Sequence, residues 1–327
     1  MKNPCLQINR LNCHFSSPHG NVWTVRDFSI EVFHGQTLGI VGESGCGKST
    51  ICKAIMGLLP DGTVTEGSEI LFEGNSIFHQ PKKKFRSLLG NQISMIFQEP
   101  SKALNPVLRV GKQIIEVLQT HRKISKKSAK EKVISLLEEL GLDQPGKVWK
   151  MYPHQLSGGQ QQRIAIAQAL ICSPRLIIAD EPTTALDATV QAGILEILIE
   201  QQKRRDLTIV LVSHDLALIS KMADRIAVIY AGRLVELSDA DSLFNRPLMP
   251  YSAGLIQANP VFNPSHKKKL RFIPGLPPNM AETITGCAFA PRCLRVKDKC
   301  KKQIPPFKKV RQNQFVACFN PLLDHGI

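Results

Sequence analysis

The run Gly42-Glu43-Ser44-Gly45-Cys46-Gly47-Lys48-Ser49-Thr50 has the residue types and spacing of a phosphate cradle. Glycines let the backbone close around a phosphate with several N–H groups turned inward. The N-terminus of a following helix adds partial positive charge. In the pattern G-x-x-x-x-G-K-[ST], the lysine (Lys48) reaches the β- and γ-phosphates of a nucleotide, and the next hydroxyl (Ser49) is offered to Mg²⁺. The pattern carries weight only after a strand and before a helix. Both are predicted here, over Thr37–Val41 and Lys48–Gly57. The loop alone leaves kinase, GTPase and ATPase chemistry open.

Two further constellations narrow the choice. Leu176-Ile177-Ile178-Ala179-Asp180-Glu181 is an apolar run ending in two carboxylates. Asp180 suits a strand-end role on Mg²⁺. Glu181, one residue on, could polarise an attacking water as a general base. Alone, such a pair is more often a solvated acidic turn; beside a phosphate loop the catalytic reading is stronger. Leu156-Ser157-Gly158-Gly159-Gln160 leads into a helical pattern. A hydroxyl and two glycines at a helix N-terminus make a second anion site.

The elements needed to position these residues are legible as alternating short apolar runs and helical patterns. Strands are predicted at Thr37–Val41, Ser94–Phe97, Leu176–Ala179, Thr208–Val212 and Ile226–Tyr230. Helices are predicted at Lys48–Gly57, Gly111–Thr120, Lys126–Leu140, Gly158–Ile171 and Ala188–Gln202. This alternation implies βαβ units in an α/β fold.

The 327 residues allow one large domain with an appendage, or two modest domains. An apolar content of 43% excludes disorder as the dominant state. No apolar run reaches the ~18–20 residues that span a bilayer, and Met1 to Phe15 lacks a long apolar leader, so a cytosolic protein is expected. The net charge of +15 points to anionic partners: nucleotides, nucleic acid or a membrane surface. That charge is uneven. Residues 261–327 hold 13 Lys/Arg and 3 Asp/Glu, a net of +10, together with four of the nine cysteines and many prolines. Prolines make long helices unlikely there.

In order and spacing, these motifs resemble the nucleotide-binding subunit of an ATP-binding-cassette (ABC) transporter. Gly42–Ser49 matches Walker A, Leu176–Asp180 matches Walker B, and Leu156–Gln160 matches the LSGGQ signature. Gln98 in Ile96-Phe97-Gln98-Glu99 resembles the Q-loop glutamine, Ala185-Leu186-Asp187 the D-loop, and His214 in Val212-Ser213-His214-Asp215 the switch histidine. The resemblance implies a P-loop NTPase cassette over residues 1–255, a mixed sheet core with a helical subdomain at about 99–170, and an extension over 256–327. It implies ATP and Mg²⁺ as ligands, with Ser49, Gln98 and Asp180 toward the metal. It further implies that two such subunits bind ATP between the phosphate loop of one and the Ser157 segment of the other. Phe15 matches the position where similar proteins stack an aromatic ring on adenine; a core phenylalanine is the equal alternative.

Other features resemble the oligopeptide/dipeptide importer branch, which also covers some nickel importers. They are Met95-Ile96-Phe97-Gln98-Glu99-Pro100, Tyr152-Pro153-His154-Gln155, and the tail Pro274-Gly275-Leu276-Pro277-Pro278 with Gly286-Cys287 to Arg292-Cys293. The expected partners are a second ABC ATPase subunit (paralogue or self), two membrane permeases and an extracytoplasmic substrate-binding protein, at the cytoplasmic face of the membrane. No nucleic-acid-binding motif is present. Cys287, Cys293, Cys300 and Cys318 offer four thiolates, for which similar tails imply a [4Fe–4S] cluster; zinc and free thiols are the alternatives. Cys5, Cys13, Cys46, Cys52 and Cys172 read as small apolar fillers, with Cys46 open to alkylation because it lies in the phosphate loop. The Lys82-Lys83-Lys84 and Lys267-Lys268-Lys269 runs read as solvated faces.

Overall fold

A computed structural model describes residues 3–18, 20–184, 186–262 and 272–323. The Lys267-Lys268-Lys269 run and Ala185 of the expected D-loop lie outside the described residues. Within them the strands are β1 (Pro4–Ser17), β2 (Gly20–Phe33), β3 (Thr37–Val41), β4 (Glu69–Phe72), β5 (Asn75–Ser76), β6 (Ile93–Ile96), β7 (Leu176–Asp180), β8 (Thr208–Val212), β9 (Arg225–Tyr230), β10 (Arg233–Asp239), β11 (Lys308–Arg311) and β12 (Gln314–Val316).

The chain divides into two compact units. The first takes in residues 1–32, 36–78 and 211–327. One of its sheets has the order β2-β1-β4-β5, with β1 and β4 antiparallel. β1 and β2 carry no clean alternation of apolar residues, and sequence reading misses both. In β1 the buried set shifts parity from Leu6 and Ile8 to Leu11 and Cys13. The shift falls at Arg10, whose φ is 47°. β2 shifts likewise between Val25 and Phe28, at Asp27 with φ 50°. A left-handed residue inserts one extra position and turns the following side chains to the other face. Side chains hold both kinks: Ser29 Oγ accepts the Arg10 N–H and Asn12 Oδ1 accepts the Asp27 N–H, each at 2.8 Å.

The other sheet of this unit is mixed, with the order β11-β12-β10-β9-β3. β3 and β9 run parallel; the remaining pairs are antiparallel. β3 is buried along its whole length, as its unbroken apolar run requires. It delivers the chain into the phosphate loop. Among the described residues the tail carries a 3-10 turn (Ala290–Arg292), a five-residue helix (Asp298–Lys302) and the β11–β12 hairpin. Through Glu236↔Val316 and Leu237↔Phe315 that hairpin extends the sheet. The tail falls in the same compact unit as the phosphate loop.

The second unit takes in residues 33–35 and 79–210, with strand order β8-β7-β6 and β6 parallel to β7. Its helices Val110–His121, Lys126–Glu139, Gly158–Leu170 and Ala188–Arg205 fall where helical periodicity predicts them, with ends shifted by up to three residues. The last is longer because Asp206, with φ 49°, ends it in a left-handed cap.

Glu236 on β10 is fully buried. Its Oε1 accepts the Leu248 N–H at 2.7 Å and its Oε2 the Met249 N–H at 2.9 Å, which fixes the entry to the helix Pro250–Ala258. Burial pushes its carboxyl above the ordinary carboxylate value, against the pull of its hydrogen-bond donors. Glu236→Gln turns an amide group against a backbone donor. It should cost about 1–3 kcal/mol of stability, measured by chemical denaturation. Because the folded value is raised, the Glu236 contribution is full below the ordinary carboxylate range. It declines as pH rises through the folded value, and the difference between wild type and variant should follow that trend.

Candidate nucleotide site and four-cysteine site

In the first unit the phosphate loop joins β3 to the helix Lys48–Ile55. Gly47 caps that helix with φ 106° and ψ 0°, and no side chain occupies the cap. A Cβ at Gly47 would run into the Thr24 carbonyl oxygen of β2, so only glycine fits. Lys48 is 5% exposed. Its Nζ donates to the Gly42 carbonyl at 2.8 Å and the Glu43 carbonyl at 3.0 Å, which closes the loop around the ammonium. The residues thus fit the phosphate group that the pattern implies: a glycine-built cradle, an uncapped helix start and an inward cation. Ser49 and Thr50 occupy the first turn of the helix. Cys46 is buried, and burial pushes its thiol up, against the pull of Lys48. This corrects the expectation of an alkylatable loop thiol, since nucleophilicity needs the thiolate. The other four cysteines expected as fillers are buried too, and burial pushes Cys13 up to about 12.

His214 is exposed, on the turn between β8 and the helix Leu216–Met222. Asp215 caps that helix by accepting the Ala217 N–H at 2.8 Å. Phe15 is half-buried on β1. Beside it His14 packs against Trp23, ring centroids 5.0 Å apart. Trp23 is an aromatic neighbour that sequence reading overlooks.

In the second unit Asp180 is buried at the end of β7. Glu181 follows with φ 48°, a left-handed conformation that glutamate rarely adopts. That turn aims its carboxylate at Gln98. Gln98 Nε2 donates to Glu181 Oε2 at 3.0 Å, and Thr184 Oγ1 donates to the same oxygen at 2.9 Å. The structure thus joins two sequence candidates 83 positions apart. It also adds Thr184, whose only sequence signal is its place just after the carboxylates.

Ser157 caps the helix Gly158–Leu170 in a capping box: its Oγ accepts the Gln160 N–H at 3.3 Å, and Gln160 Oε1 accepts the Ser157 N–H at 3.0 Å. Ser157 and Gly158 are exposed. A Cβ at Gly159 would lie 2.7 Å from Val190 Cγ1, so this glycine also allows close packing of two helices. Asp187 serves as the N-cap of Ala188–Arg205, with Oδ1 accepting the Val190 N–H at 2.9 Å.

The four tail cysteines lie in the first unit, Cys300 and Cys318 buried and Cys287 and Cys293 half-buried. Backbone N–H groups face their sulfurs: Arg295 to Cys293 at 3.4 Å, Lys297 to Cys300 at 3.5 Å, Asn320 to Cys318 at 3.4 Å. At Cys287 the Ala290 N–H donates to the backbone carbonyl, at 2.9 Å. Burial pushes Cys318 up to about 11, and the facing Cys287, Cys293 and Cys300 push in the same direction. Four mutually facing thiols with backbone donors suit a thiolate-ligated cation. Among the described residues, no three of these sulfurs lie within 4.8 Å of one another.

Comparison with known proteins agrees with the motifs. The ABC transporter family model matches residues 25–184, and the oligopeptide/dipeptide transporter C-terminal region model matches residues 235–300. The chain is 42% identical over 321 residues to the oligopeptide transport ATP-binding protein OppD of Salmonella typhimurium, covering 98% of this chain and 95% of that one. It is 44% identical over 302 residues to the dipeptide transport ATP-binding protein DppD of Bacillus subtilis, covering 92% and 90%. The fold matches the dimeric ATP-binding cassette MJ0796 bound to ADP and Pi, with TM-score 0.65 and 24% identity over 72% of this chain and 98% of that one. It also matches cbiO1 from Clostridium perfringens, part of an ABC transporter complex, with TM-score 0.63 and 26% identity over 74% and 91%. An α/β cassette with these motifs in order, aligned almost end to end with such relatives, belongs to the ABC transporter family as an ATP-binding protein carrying the oligopeptide/dipeptide transporter C-terminal region.

Proposed function

We propose that this chain is the ATP-hydrolysing subunit of an importer of oligopeptides or dipeptides. The observation that carries the reading is the near end-to-end similarity to OppD and DppD, tail included, because the ATP motifs alone do not specify a cargo. In this reading the Gly42–Thr50 loop and Lys48 bind the phosphates and Phe15 stacks on adenine. Ser49, Asp180 and Gln98 hold Mg²⁺, which when bound neutralises charge on the phosphates. Glu181 takes the proton from the attacking water, and His214 donates to the γ-phosphate. The exposed Ser157 hydroxyl accepts from Gln160 within its own chain. Its own O–H is thereby left to donate to the nucleotide of a second ATPase subunit, as do the Gly158 and Gly159 N–H groups, with Asp187 at the same junction. ATP bound across two subunits favours the closed pair by contacts that the open pair lacks.

The subunit works at the cytoplasmic face of the membrane, docked on two permeases and served by an extracytoplasmic binding protein. Among the described residues no helix is long and apolar enough to cross a membrane, so that location depends on partners. Affinity purification from membranes should recover permease subunits; recovery of ribosomes in their place would refute the assignment.

The four cysteines hold an iron–sulfur cluster in this reading. The mutually facing thiols, their backbone donors and the surrounding Arg295, Lys297, Lys299, Lys301 and Lys302 support it. Protein purified without air should be brown and contain iron and sulfide; Cys287→Ser should lower both. Colourless wild type without iron or sulfide would refute the cluster.

A further inference from the structure

One side chain of the tail reaches the phosphate loop directly. Arg292 meets the Glu43 carboxylate as a fork, Nη1 to Oε2 at 2.7 Å and Nη2 to Oε1 at 2.9 Å. The Arg292 side chain is 5% exposed. Its Nε donates to the Pro274 carbonyl at 2.9 Å, and its Nη1 donates to the Tyr230 hydroxyl at 3.2 Å. The Glu43 pairing is the main influence holding this guanidinium above its ordinary value.

Glu43 is the second residue of the loop, and three groups fix it. Its N–H donates to the Tyr251 hydroxyl at 2.9 Å, its carboxylate takes the Arg292 fork, and its carbonyl accepts from Lys48 at 3.0 Å. The rings of Tyr230, Tyr251 and Phe289 pack together with centroids 4.5–5.4 Å apart, and the Arg292 guanidinium lies 5.9 Å from the Tyr230 and Phe289 centroids. Phe289 and Arg292 belong to the segment between Cys287 and Cys293; the tyrosines belong to the cassette. A fork that served only to dock the tail could end on any surface carboxylate. This one ends on the residue whose carbonyl holds the phosphate-binding lysine, and a planar bidentate pair sets orientation as well as distance.

We propose that Arg292 is a positioning residue for nucleotide binding: through Glu43 it fixes the first turn of the phosphate loop, so the cysteine-bearing segment sets the affinity of the loop for nucleotide. The proposal rests on the reading of residues 42–50 as the nucleotide site.

The test uses full-length protein with Mg²⁺ and a fluorescent ATP analogue, beside steady-state ATPase assays and melting curves. Arg292→Gln and Glu43→Gln should each weaken analogue binding about tenfold, and the double variant should be no weaker than the weaker single, because both remove one interaction. KM for ATP should rise by the same factor while kcat moves much less. Arg292→Lys, which keeps the charge and loses the fork, should recover only part of the affinity. Glu43→Gln covers the case in which loss of Arg292 unfolds the tail. Wild-type affinity in folded Arg292→Gln would overturn the proposal, as would losses that multiply in the double variant. Failure of the wild type to bind the analogue at all would instead refute the nucleotide site.

Discussion

Glu181→Gln should stop turnover while leaving ATP bound. Hydrolysis should fall about 10²- to 10⁴-fold, the usual worth of a positioned general base. Glutamine keeps the size of the side chain and can still accept from Gln98 and Thr184, which hold Glu181 at 3.0 and 2.9 Å. It cannot take a proton. The left-handed backbone at residue 181 is held by the same turn in both proteins, so the change isolates the chemistry. Rapid-mixing measurement of phosphate release, set against analogue binding, separates the two steps. Nucleotide should accumulate in the closed, paired form, visible as an ATP-dependent dimer in sizing experiments. Turnover near the wild-type rate would show that another group supplies the base.

The parts of this site read from sequence are those made by adjacent residues. The loop 42–50, the carboxylates 180–181 and the cap 157–160 each draw their chemistry from one strand–turn–helix junction, and local patterns expose such junctions. The contacts that join candidates are hidden. Gln98 to Glu181 spans 83 positions and Glu43 to Arg292 spans 249, and neither has a periodic signature. In the sequence Arg292 is one of many basic residues near the tail cysteines, yet it is buried against the phosphate loop. The N-terminal strands were hidden for another reason. Their apolar period breaks at Arg10 and Asp27, where the left-handed backbone moves the buried set to the other face. The buried strands β3, β7 and β8 have no such kink, and their continuous apolar runs placed them closely.

Lys48→Met should weaken nucleotide binding about 10- to 100-fold, the worth of one or two charge-assisted hydrogen bonds to phosphate. In the structure the ammonium is satisfied by the Gly42 and Glu43 carbonyls. Phosphate binding therefore exchanges or shares those contacts, and the net effect sits at the lower end of what an unpaired buried cation would give. Methionine fills a similar apolar volume but leaves the Gly42 and Glu43 carbonyls without their donor, so a lowered melting midpoint should accompany the loss of affinity. Hydrolysis at low ATP should fall further than hydrolysis at saturating ATP. Unchanged analogue affinity in a folded Lys48→Met protein would remove the phosphate loop from the account.

Hydrolysis at this subunit should drive peptide import. Uptake of labelled dipeptides and oligopeptides by cells whose only copy of the subunit is wild type or Glu181→Gln tests it most directly. ATP-dependent peptide accumulation is expected with wild type and none with Glu181→Gln, although the variant protein is present at the membrane. Equal peptide uptake with both, or uptake of nickel but no peptide with wild type, would contradict it.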